Sequence, residues 1–162
     1  MNEILDDQLT FRGTPTLNDI DNVVSLKKSI ALDNFQIKWA FNTMVIVTIL
    51  KGIASIVEIA SIKKEEMEFF YDMSWIYYTI GIILTLYIAG ILLYFYDQLA
   101  GIIFYLTVFV LVELIIIYGD PTLILRGMLT RVIVIIFLAR GISSAYSMKK
   151  NISLMNFYQI RN

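Results

Sequence analysis

Four stretches of this chain stay apolar for as long as a helix needs to cross a bilayer: about 39–62, 74–96, 99–118 and 122–142. About 20 residues at ~1.5 Å each cover the ~30 Å of hydrocarbon. The second stretch is the cleanest, with no charge between Asp72 and Asp97. Trp75, Tyr77 and Tyr78 mark one of its ends and Tyr94, Phe95 and Tyr96 the other, as rings at a membrane–water boundary do. The breaks at Asp97-Gln98 and Gly119-Asp120-Pro121 are short enough to force antiparallel neighbours. The expected fold is therefore an all-α integral membrane protein. It is a four-transmembrane-helix bundle with an N-terminal amphipathic cytoplasmic helix and a short basic C-terminal tail.

Composition agrees. The chain is 58% hydrophobic and 17% charged, against about 45–50% and about 25% in soluble domains. High hydrophobicity with low charge also excludes intrinsic disorder. With 162 residues, the chain makes one compact unit.

The missing residue types narrow the chemistry. There is no histidine and no cysteine, which removes Ser-His-Asp and Cys-His catalysis, Cys/His zinc sites, His- or Cys-held haem and disulfides. No phosphate-binding glycine loop or nucleophile elbow is present. A net charge of −1 gives no basic face for nucleic acid. The chain reads as non-enzymatic, with no cofactor, no metal and no nucleic-acid partner.

Residues 1–38 form a polar preface. Glu3, Asp6 and Asp7 replace the basic start of a secretory signal. Pro15, Thr16 and Asp19 resemble a helix start. Leu17, Ile20 and Val24 then recur at helical spacing beside Lys27 and Lys28. This helix is expected to lie against an anionic lipid surface or the rest of the fold, or to dock a soluble partner or another subunit through residues 16–38. At the other end, residues 143–162 form a basic tail, expected to continue as a helix out of the bilayer and lie on its surface.

Lys27, Lys28, Lys38, Arg140, Lys149, Lys150 and Arg161 place both termini in the cytoplasm, most simply at a bacterial inner (cell) membrane. Lys63 and Lys64, in the connection expected outside, run against this orientation.

Five charges interrupt the apolar stretches: Lys51, Glu58, Glu113, Arg126 and Arg131. Each Lys, Arg or Asp at a helix centre costs about 2.5–3.5 kcal/mol, so such groups face inward, line a water cavity or pair with each other. Thr48, Lys51, Ser55 and Glu58 make one polar stripe that must turn inward. Depth allows Glu58 to meet Arg126, and Glu113 to meet Arg126 or Arg131. Lys51 can approach Glu113, Ser55 or a symmetry-related copy. These side chains either fix helix packing as ion pairs or line a hydrated path or anion site. Arg126, Arg131 and Arg140 do not share one face, which excludes a voltage sensor.

Gly81, Thr85 and Ala89 make a small-residue face on the second stretch. Packing within the chain is its simpler use and self-association the alternative. Together these features point to an oligomeric pore, gate or membrane-state sensor or effector working with a soluble partner, for example in stress, defence or toxin immunity. The alternatives are a small proton-coupled transporter using Glu58 or Glu113, and a structural anchor or assembly factor.

Overall fold

The computed structural model describes the backbone of residues 17–61, 73–119 and 127–161, and side chains over 21–57, at 60, and over 77–119 and 127–156. The described residues form four helices: α1 (Leu17–Ser61), α2 (Met73–Tyr96), α3 (Gln98–Gly119) and α4 (Met128–Arg161). Each is long and apolar enough to cross a membrane. Neighbours pack α1 on α2, α2 on α3, α3 on α4 and α4 back on α1.

α1 runs 45 residues without a break, about 68 Å. Residues 17–38 of the polar preface and the first apolar stretch, as far as Ser61, are one helix. The polarity changes near residue 38, but no Gly or Pro stands between Leu17 and Lys51, so nothing stops the backbone ladder. The same holds for α4. It passes residue 142 and continues to Arg161, with no Gly or Pro after Gly141. At its other end, Gly127 turns the chain in with φ of 74°, a conformation open to glycine, and its carbonyl accepts the Arg131 amide at 3.0 Å. Residues 122–126 lie outside the described residues.

The link between α2 and α3 is a single residue. The Asp97 amide donates to the Leu93 carbonyl at 2.8 Å, closing α2, and the Asp97 carbonyl accepts the first bond of α3 from Gly101 at 2.9 Å. Its side chain caps α3, with Oδ1 accepting from the amides of Leu99 (2.9 Å) and Ala100 (3.2 Å). The return is so sharp that a Cβ at Gly101 would run into the Tyr94 backbone.

Lys149 of α4 reaches this turn, donating to Asp97 at 2.9 and 3.2 Å. That bond, followed by the Ala100 amide, holds the Asp97 carboxyl below its ordinary value. The contact also sets the level of the turn. Beyond it α1 and α4 continue together as an antiparallel two-helix stalk. Asn151 donates to Ser29 at 3.0 Å and to Asp33 at 3.4 Å, and Val23 is 1% exposed. The tail thus packs, at Asn151, on the N-terminal half of α1.

Further down the same pair, Ser144 donates to Gln36 Oε1 at 2.6 Å, and Gly141 admits Ala40 where any Cβ would collide. Trp39 stacks on Phe137 with centroids 6.0 Å apart. The core of the bundle gathers Ile37, Met44, Tyr87, Ile102, Tyr105 and Leu138, each fully buried. The outer faces are apolar and open: Ile49, Ile53, Ile56, Leu92, Ile115 and Leu129 are all more than half exposed. Soluble monomers seldom expose apolar surface of this extent.

Candidate functional site: an ion triad between three helices

Glu113 is the only acid among the described residues of the α3 apolar run, and it is 7% exposed. It lies about 24 Å along α3 from the Asp97 turn, from 16 residues at ~1.5 Å each. Its two oxygens serve two helices. Oε1 accepts from Lys51 of α1 at 2.5 Å, and Oε2 accepts from Arg131 Nε of α4 at 2.6 Å. Both are charge-assisted bonds in a low-dielectric setting, the strong class of hydrogen bond. The three side chains are 10–29% exposed.

The triad sits in a groove of about 330 Å³ whose wall includes Val47, Phe109, Gly127 and Thr130. One turn of α1 toward the stalk, a second polar contact crosses the core. The Tyr105 hydroxyl donates to the Met44 carbonyl at 2.7 Å and lies 2.8 Å from the Thr48 hydroxyl. Tyr87 packs on Tyr105 with centroids 5.1 Å apart, and its own hydroxyl is buried without a hydrogen-bond partner among the described residues.

The residues singled out from sequence therefore separate. Thr48, Lys51, Glu113 and Arg131 come together. Ser55 donates to the Lys51 carbonyl at 2.9 Å, satisfying itself on its own helix. The expected Glu58–Arg126 pair lies outside the described residues, because neither side chain is described. Where the depth reckoning offered Glu113 either arginine or the lysine, it takes Arg131 and Lys51 at once.

Among the described residues, the small-residue face of α2 is not the face that packs on its neighbours. Gly81 and Thr85 are exposed, Ala89 is half-buried, and a Cβ at Gly81 would meet nothing within 4 Å among the described residues. The face that α2 turns inward carries Ile83, Tyr87 and Tyr94, which lie about half a turn round the helix at 100° per residue. Thr85 instead returns its hydroxyl to the Gly81 carbonyl at 2.7 Å. The close approaches occur at Gly90, Gly101 and Gly141.

In the stalk, Val24 is 59% exposed, Lys28 is exposed and Lys27 half-buried. The side chains of Leu17 and Ile20 lie outside the described residues. Tyr87 and Tyr105 were missed from sequence, yet a signal existed: both stand in mid-stretch, away from the ends where tyrosines serve as boundary rings. No protein-family model, curated protein or solved structure matches this chain.

Proposed function

We propose that this chain is a non-enzymatic, multi-pass membrane protein acting as a membrane-state sensor or effector, with both termini cytoplasmic and the stalk facing a soluble partner. The observation that carries the proposal is the placement of Lys51 and Arg131. They belong to α1 and α4, the two helices that form the stalk, and they share one carboxylate inside the bundle. Any event that breaks that clasp acts directly on the two rods that leave the bundle.

An open pore along the polar stripe is less well supported, since Thr48 and Lys51 are engaged inside the protomer. Proton exchange at Glu113 is also less well supported, because both of its oxygens are engaged, one by Lys51 and one by Arg131. The exposed Gly81–Thr85 face fits self-association, with copies approaching through small residues. Stress, defence or toxin immunity is the job class in which we place this protein working with its soluble partner.

The test is a comparison of wild type with Glu113→Gln in liposomes, reading ion flux and the labelling rate of single cysteines placed in the stalk. The proposal expects no flux from either protein and faster stalk labelling in the variant. Selective wild-type flux altered by the substitution would establish a pore. Unchanged stalk labelling would leave only an anchor.

A further inference from the structure

Arg140 is an exposed cation in an apolar neighbourhood. It lies on α4 nine residues from Lys149, about 13 Å deeper into the bundle than the Asp97 turn. It makes no ion pair or hydrogen bond with any described residue, and it lines a groove of about 390 Å³ with Leu32, Phe35, Gln36, Trp39 and Phe137. Leu32 and Phe35 are 58% and 60% exposed, so the groove opens outward from the α1–α4 pair.

An arginine stays charged at any attainable pH, and one set below the rim of an apolar surface is costly until it meets an anion. Gln36 adds a second donor in a fixed pose. Its Oε1 accepts from Ser144, which is 4% exposed, at 2.6 Å. That bond leaves the two amide hydrogens of Gln36 without a described partner. A guanidinium and a carboxamide donor above aromatic and aliphatic walls match a phosphodiester joined to an acyl chain.

We propose that this groove holds one anionic phospholipid of the leaflet on the stalk side, its phosphate drawn below the rim onto Arg140 and Gln36 and an acyl chain running away from the stalk along Trp39 and Phe137. Charge complementarity selects the headgroup class. No Asp or Glu lines the groove, so no carboxylate there pairs with the ammonium of a zwitterionic lipid, and Arg140 repels it. This inference rests on the membrane placement proposed above and goes beyond it, by putting a lipid contact on the helix pair that carries the triad.

The full chain with Trp75→Phe leaves Trp39 as the sole tryptophan. In vesicles of phosphatidylcholine, Trp39 fluorescence is quenched by trace brominated-acyl phosphatidylglycerol or brominated-acyl phosphatidylcholine, after a carbonate wash confirms insertion. The expected result is stronger quenching by the glycerol lipid, with an apparent preference of about fivefold, the factor for ~1 kcal/mol per surface cation. Arg140→Gln should erase the preference. Lys38→Gln, an exposed lysine outside the groove, should keep it, with helicity unchanged in both.

Equal quenching by the two lipids, or a preference that survives Arg140→Gln, overturns the proposal. Inserted protein whose Trp39 is quenched by neither lipid also overturns it, and indicates that a second copy covers the groove. Release of the chain by the carbonate wash would instead overturn the membrane placement itself.

Discussion

The α1–α4 pair and the α2–α3 pair solve the same problem, antiparallel helix packing, by different means. The α2–α3 hairpin takes its register from a one-residue link. Asp97 closes one helix and caps the next, Gly101 lets the chain double back, and rings fill the interior. The α1–α4 pair has no such link, because its helices are separated by the whole hairpin. Its register comes from polar side chains at intervals: Asn151 with Ser29 and Asp33, Ser144 with Gln36, and Lys51 with Arg131 through Glu113. A pair set by its turn is rigid by construction. One set by side-chain bonds can change register when a bond changes, which is why the triad rather than the hairpin is the candidate switch.

The largest expected effect is at Glu113. Glu113→Ala leaves two cations inside the bundle and should cost about 3–5 kcal/mol, read as a drop in thermal stability of the detergent-solubilised protein. Replacing Lys51, Glu113 and Arg131 together by Met, Leu and Leu should recover most of that loss, since no charge is then stranded. Failure to recover would mean that the triad organises more than its own charges.

Gly101→Ala tests the hairpin. Its added methyl must displace the Tyr94 backbone, and about 1–3 kcal/mol of overpacking cost follows. Gly81→Ala, made on the same helical hairpin where space is open, should instead gain about 0.5–1 kcal/mol from reduced backbone freedom. Thermal unfolding of both variants would show opposite signs, and matching signs would remove the distinction between the inward and outward faces of α2.

Ser144→Ala strands no charge and should cost about 1 kcal/mol, appearing as faster amide exchange in the stalk with the α2–α3 hairpin unaffected. The smallest effect belongs to the bond between the two pairs. Asp97→Asn keeps a capping oxygen but loses the ion pair with Lys149, an exposed contact of about 0.2–1 kcal/mol. Because Lys149 holds the Asp97 carboxyl below its ordinary value, that contribution is complete above the usual carboxylate range. It is lost as pH falls through the lowered value. The stability gap between wild type and variant should be flat from neutral to mildly acid pH and close on further acidification.

Sequence made the four apolar helices legible, because hydrocarbon thickness imposes a length that composition reveals directly. Lys51, Glu113 and Arg131 were legible as inward-facing groups for a similar reason, the cost of charge in lipid. Their partnership was not, since depth along a helix admits several pairings and only the azimuth of each helix chooses among them. The unbroken α1 was hidden by a change of polarity at 38 that reads as a boundary, although the backbone meets no helix breaker there, whereas the run of α4 past 142 was legible in its helical spacing. Gly81, Thr85 and Ala89 misled because small residues at four-residue spacing suit an internal or an external contact equally well. The two close approaches that matter, Gly101 and Gly141, depend on partners 7 and 101 positions away.

The central claim is that the state of Glu113 is carried to the stalk by α1 and α4. The chain has no cysteine, so spin labels at Val24→Cys and Ser153→Cys, both exposed, report one stalk distance in lipid nanodiscs by pulsed electron resonance. A single narrow distance in wild type that shifts or broadens with Glu113→Gln, helicity being unchanged, is the predicted result. The same narrow distribution in both proteins would contradict the coupling and reduce the triad to a local packing device.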